Sequence, residues 1–217
     1  MKATTNKEFD VVIIGSGFGG SVSALRLSQK GYRVAVLERG KRYRSGDFPK
    51  TSWNIRKHLW FPGLFLYGIQ CITFFRDLFV IHGTGVGGGS LVYANTHLIP
   101  PDKAFEDEGW VDGGWKERLL PYYDLARKML GSTQAPRLAK SDHMLKQCAD
   151  EMGVGDSFYN VDVGVYFSDS KDWQEDPYFD GEGPKRKGCI HCGECMVGCR
   201  HDAKNTLDKN YLYLAEK

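Results

Sequence analysis

An α/β fold carrying loop-rich and helical insertions is the class this sequence predicts, and three observations predict it. Asp10 to Ile14 form a short apolar run ended by glycine, as in a buried strand. Phe18 to Lys30 carry Val22, Leu25 and Leu27 among small and polar residues and stop at Gly31, as in a helix. The run YRVAVLE, ending at Glu38, is a second strand. Strand, helix and strand within about 30 residues make a right-handed βαβ unit, and its short links imply parallel neighbours.

The remaining elements follow in chain order. From Arg39 to Ile81 no clean periodicity stands out, and the stretch reads as loops with short apolar pieces. After the glycines of Gly83 to Gly89 comes SLVYANTHL, which reads as a strand. WKERLLPYYDLARKML predicts a helix ending near Gly131. SDHMLKQCADEMG predicts another, with Ser141 capping its first turn and Gly153 stopping it. Gly155 to Lys187, rich in Gly, Asp, Tyr and Phe, reads as strands and turns, and the final LYLAEK as a helix. Two regions are expected: 8–110, with the βαβ unit and a second glycine loop, and 111–217, helical and irregular with a cysteine run.

At 217 residues the chain is long enough for a substantial core. Its 29 Lys+Arg against 27 Asp+Glu leave a formal charge of +2 with no long run of one sign, which speaks against a nucleic-acid partner. MKATTNKEFD leads into VVIIGSGFGG rather than into an uninterrupted signal-peptide core. Four of the six cysteines crowd into CIHCGECMVGC, unlike the dispersed framework of a small secreted domain. Both features point to the cytoplasm.

The chemistry begins at GSGFGG, where Gly15, Gly17 and Gly20 have the spacing GxGxxG. The first glycine permits the tight turn out of the strand, the second lets a phosphate approach the backbone, and the third lets helix and strand pack closely. The phosphate then meets unpaired N–H groups and the positive end of the helix dipole. The motif leaves a strand, opens a helix and is followed about 20 residues on by an acid at the end of the second strand, Glu38, which completes the Rossmann-like dinucleotide fingerprint. Glu38 can accept hydrogen bonds from a ribose diol and would repel a 2′-phosphate, so NADP is disfavoured. Ala24 keeps the helix close to the sheet.

The fingerprint alone does not choose between FAD and NAD. GTGVGGGS, Gly83 to Ser90, offers consecutive backbone N–H groups that no side chain obstructs, so a large cofactor can lie against it. This cluster with SLVYAN, the segment GWKERLLPYYDLA and the segment GCRHDAKNTLDKNYL resemble the glucose-methanol-choline family, in particular its cholesterol oxidase-like members. The resemblance runs from about Asp10 to the last residue. It implies a Rossmann-like FAD-binding domain, incomplete within these residues. Gly15, Gly17, Gly20 and Glu38, with Phe18, Gly19 and Arg39 beside them, would bind the ADP part of FAD. Gly85, Gly87, Gly88, Gly89 and Ser90 would approach the pyrophosphate and flavin. One position departs from the pattern: Tyr93 follows SLV where secreted members carry Asn, and Asn95 comes two positions later. Both are candidates for the flavin ring.

Cys189, Cys192, Cys195 and Cys199 form CxxCxxCxxxC, the ligand spacing of bacterial ferredoxins. Arg200 stands where those proteins have Pro, and their fourth Cys serves a second cluster for which no second run exists here. A single iron–sulfur cluster would need Cys199 to fold back, or Cys71 or Cys148 as another ligand. Zinc is the competitor, bound by four Cys, or by three with His191 or His201. Four structural thiols without metal are the third reading.

The expected function is oxidation of an alcohol, sterol-like or otherwise apolar, by hydride transfer to the flavin, with an electron acceptor as second partner. An NAD-dependent dehydrogenase and an iron–sulfur electron-transfer module are the rivals. The family commonly uses a His as base, yet His58, His82, His97, His143, His191 and His201 lie in no matching motif, and the catalytic residue stays unassigned. Because the chain stops in a helix without cap or glycine stop, the N-terminal part of a longer enzyme, inactive alone, is expected. Leu59 to Val80 is apolar but interrupted by Pro62, Gly63, Gly68, Gln70, Arg76 and Asp77, which predicts no transmembrane span and leaves peripheral contact with lipid open.

Overall fold

The computed structural model describes residues 8–106, 109–110 and 113–217, and the chain is α/β. Its contacts form two compact units, Met1–Asn95 with Tyr166–Lys217, and Thr96–Val165. That division differs from the expected boundary at 110, because the last 52 residues return to the βαβ unit instead of staying with the middle of the chain.

In the first unit, strand β1 (Val11–Ile14) pairs in parallel with β2 (Val34–Leu37), Val11 facing Val34 and Ile14 facing Leu37. Helix α1 (Phe18–Gln29) connects them and lies on the pair through Ala24 and Leu25, 2% and 3% exposed. The Asp10 carboxylate accepts from Arg33 N (2.7 Å) and from its guanidinium (2.9 Å) at the open end of the pair. These bonds hold the Asp10 pKa down to about 2.

The segment expected as loops, Arg39 to Ile81, contains a short helix and two antiparallel hairpins. Helix α2 (Ile55–His58) precedes β3 (Trp60–Phe61), which pairs with β4 (Leu66–Tyr67) around a Pro62–Leu64 turn. Strands β5 (Gln70–Phe74) and β6 (Phe79–Gly83) pair from Gln70↔Gly83 to Phe74↔Phe79. Phe79, Val80 and Ile81 are all at least 41% exposed, so β6 lacks the polar alternation that betrays a half-buried strand. No helix of the described residues is long and apolar enough to cross a membrane. Tyr43, Phe48, Ile69, Leu91 and Val92 form a core cluster, in which the rings of Tyr43 and Phe48 stack 5.4 Å apart.

SLVYANTHL is not a strand. Gly88–Leu91 form a 3₁₀ turn, the N–H groups of Val92 and Tyr93 both donate to Gly89 O (3.1 and 3.0 Å), and Asn95 has φ 55°. Backbone groups bonded locally in this way have none left for a sheet ladder.

In the second unit, α3 (Trp115–Met129) is the expected helix, with Pro121 inside it. Strand β7 (Thr133–Gln134) later pairs with β8 (Asp162–Val163). Helix α4 (Lys140–Glu151) between them starts one residue before the expected cap: Ser141 lies inside its first turn, and Asp142 Oδ2 accepts from Ala139 N (2.6 Å) instead. A carboxylate suits that end because it meets the positive end of the dipole. Gly153 follows the helix at φ 72°.

Beyond Tyr166 the chain rejoins the first unit mostly as turns and an isolated bridge, Gln174↔Arg186. Arg186, 1% exposed, donates to the carbonyls of Asp202, Ala203 and Lys204 (2.9 Å each) and ties this return together. It ends in α5 (Tyr211–Glu216), which packs on α1 with Tyr211 and Leu212 buried.

Candidate functional site

Two glycine loops meet above the C-terminal end of β1. Gly15 leaves the strand with φ 90°, and its N–H donates to Leu37 O (2.7 Å). A Cβ on Gly20 would lie 2.0 Å from Gly15 O, so only glycine lets the helix start so close to the strand. The second loop stacks on the first backbone to backbone: a Cβ on Gly88, φ 51°, would lie 2.8 Å from Gly17 Cα. Gly15, Gly17 and Gly19, in contrast, face open space, where an added Cβ meets nothing within 4 Å. Gly17 caps α1 without any side-chain hydrogen bond, so the amide end of the helix is not covered from within.

Ser16 joins the loops. It is 1% exposed, and its Oγ donates to Glu38 Oε2 (2.7 Å) while accepting from Gly87 N (3.1 Å). Its own N–H donates to the same carboxylate oxygen (3.1 Å), and Gly40 N donates to the other (2.9 Å). Burial pushes the Glu38 carboxyl up, but the bonds from Gly40, Ser16 and the Gly85 backbone outweigh it and hold the pKa below the usual value. Glu38 is therefore anionic and partly spent on the loops, with lone pairs left for another donor. Arg39 extends toward Thr84 Oγ1 (3.4 Å) and the Trp60 ring (5.7 Å). Beside Glu38 a cavity of about 370 Å³ is lined by Ser16, Val36, Glu38, Arg42, Leu212 and Glu216, with Arg42 ion-paired to Glu216.

The far side of the second loop is held by the returning chain. Ser90 Oγ donates to Gly87 O (2.7 Å) and accepts from Leu207 N (3.1 Å). Lys204, 1% exposed, donates to Leu91 O (3.2 Å), Tyr93 O (2.7 Å) and Cys195 O (2.9 Å). Burial pulls its pKa down to about 8 against the weaker upward pull of Cys195 and Cys199. Tyr93 sets its ring edge-on to Phe18 at 5.7 Å, and Gly89 lies against that same Phe18 ring. Burial pushes the Tyr93 hydroxyl well above its usual range. Asn95 is 4% exposed, and its Oδ1 is buried with no hydrogen-bond partner among the described residues.

The four thiols of the cysteine run lie near one another, Cys189 and Cys195 each within electrostatic reach of Cys192 and Cys199. Among the described residues, the three ligand-bearing groups that converge within 4.8 Å are Cys192, Glu194 and His201. Glu194 was absent from the expected ligands, since carboxylates are common on surfaces and the spacing rule looks only at cysteines. His191 stacks on Phe167 instead (5.5 Å), His82 bonds Thr73 Oγ1 (2.9 Å), and His97 bonds Ser132 Oγ (2.6 Å). Ser16, Lys204 and Leu207 were also missed as site residues. The signal for Ser16 is its place inside the fingerprint, whereas the other two reach the loop only through the return of the chain.

The pattern of the family described as FAD dependent oxidoreductase matches residues 10–135, which include both glycine loops. The chain belongs to that family. FAD is accordingly its cofactor, and the match argues against the nicotinamide alternative. The chain is similar to a cholesterol oxidase of Mycobacterium tuberculosis, 53% identical over 215 residues, which cover 96% of this chain and 37% of that protein. A cholesterol oxidase of Acinetobacter baumannii is 48% identical over 217 residues, 98% of this chain and 39% of that protein. An uncharacterized GMC-type oxidoreductase of Mycobacterium tuberculosis is 26% identical over 94% of this chain and 29% of its own length. The chain thus spans well under half of the curated relatives it matches.

Proposed function

We propose that the first unit is a Rossmann-like FAD-binding domain, incomplete within this chain, and that it serves an enzyme oxidising the hydroxyl-bearing carbon of a small apolar alcohol. The meeting of the two glycine loops through Ser16 and Glu38 carries the reading. The open side of Gly15, Gly17 and Gly19 suits a pyrophosphate on the uncapped end of α1, and Glu38 with the neighbouring cavity suits the adenosine ribose. Phe18, Gly85, Gly87, Gly88, Gly89 and Ser90 shape the floor on which the rest of the cofactor lies, with Arg39 at its margin. The unsatisfied Asn95 Oδ1, with Tyr93 beside it, supports a donor from the cofactor in that place. When bound, FAD supplies the acceptor for a hydride; the protein's own part here is to orient it and exclude water.

The alcohol as substrate is supported by the cholesterol oxidases among the relatives. Phe74, Phe75, Leu78 and Phe79, all at least 59% exposed at the β5–β6 turn, support peripheral contact with the lipid phase from which an apolar alcohol would come. All six cysteines are free thiols, which suits the cytoplasm. The test is Gly17→Val. Its side chain enters open space, so the fold should be unchanged by circular dichroism while FAD retention on reconstitution is abolished. A variant that keeps full flavin occupancy overturns the placement of the pyrophosphate.

A further inference from the structure

We infer that Cys192, Glu194 and His201 form a mononuclear zinc site at the cysteine turn. Their ligand atoms lie within 4.8 Å of one another. Tetrahedral ligands about 2.0–2.3 Å from zinc stand roughly 3.3–3.8 Å apart, so contraction of about 1 Å completes the set. The donors are a thiolate, an imidazole and a carboxylate, the mixture zinc accepts, whereas an iron–sulfur cluster asks for four thiolates or nearly so. Cys189, Cys195 and Cys199 are not in that convergent group.

The surroundings fit a metal. Arg200 Nη2 pairs with Glu194 Oε2, which orients the carboxylate in the way outer partners orient metal-bound acids and leaves its other oxygen for the ion. Cys192 is exposed, so an ion can enter and water can take the fourth position. Zinc here would brace the turn whose Cys195 carbonyl receives Lys204, and through Lys204 the carbonyls of Leu91 and Tyr93. The site does not depend on what the cofactor loops hold.

The experiment is titration of the metal-stripped chain with cobalt(II) and then zinc(II) under reducing conditions. One equivalent of cobalt should give a thiolate-to-metal charge-transfer band and the intense visible bands of a tetrahedral ion, both erased by one equivalent of zinc. Cys192→Ser should abolish the charge-transfer band. His201→Gln should weaken zinc binding by at least the roughly 10–100-fold that even outer partners contribute. Cys189→Ser and Cys199→Ser should bind as the wild type does, and circular dichroism confirms that each variant folds. Absence of stoichiometric cobalt binding overturns the proposal. So does equal loss in Cys189→Ser and Cys192→Ser, or recovery of iron with labile sulfide from anaerobically purified protein.

Discussion

Replacing Lys204 by Met keeps the volume of the side chain and removes three hydrogen bonds that join the segment after the second glycine loop to the cysteine turn. Each runs from a charged donor to a carbonyl and is worth about 1.5–3 kcal/mol, or roughly 4.5–9 in all. Against that stands the cost of keeping the ammonium buried. A fall of its pKa from 10.5 to about 8 corresponds to roughly 3 kcal/mol. The difference, about 1–6 kcal/mol, centres near 3, and that is the loss expected in urea unfolding followed by tryptophan fluorescence. The pH dependence supplies an independent check. Since the folded lysine has the lower pKa, the native state binds fewer protons than the unfolded state between pH 8 and 10.5, so wild-type stability should rise across that window. Lys204→Met should lack this rise. A loss below about 0.5 kcal/mol together with an unchanged pH profile would refute the idea that Lys204 holds the loop.

Gly20→Ala should destabilise by about 3 kcal/mol or more, because its Cβ meets the Gly15 carbonyl at 2.0 Å and backbone cannot step aside, as a shifted urea midpoint would register. Ser16→Ala should cost about 2 kcal/mol and weaken FAD binding in a reconstitution titration, since it strips a donor from the Glu38 carboxylate and an acceptor from Gly87 N. Glu38 itself sets an acid limit. Its pKa is depressed in the folded chain, so its stabilisation is complete above the ordinary value of 4.5 and disappears as pH falls through the lower folded value. Acid unfolding of Glu38→Gln should therefore start from lower stability and show a shallower fall.

The local chain determined what local forces decide. Apolar runs of four residues, a helix between them and three glycines at the joint specify β1, α1 and β2 within less than one turn, because each element is stabilised by neighbours in sequence. The same holds for α3, α4 and α5, apart from the cap of α4, where Asp142 rather than Ser141 meets the free N–H. The fingerprint and the second glycine loop were legible for the same reason, since a missing Cβ is a property of one residue. What only the tertiary structure decided is which of these distant pieces touch. The hairpins β3–β4 and β5–β6 are apolar on faces without alternation, so no period marked them as strands. SLVYANTHL has the composition of a strand, but Gly87, Gly88 and Asn95 adopt left-handed φ and turn its N–H groups back on Gly89. Ser16 meets Glu38 and Gly87 only when the loops stack, and Lys204 reaches Leu91 and Tyr93 across more than a hundred residues. In the cysteine run, spacing gathered four thiols along the chain. The fold also set Glu194 and His201 beside Cys192, because the direction of a side chain in a turn is set by backbone dihedrals and packing that the spacing of letters does not encode.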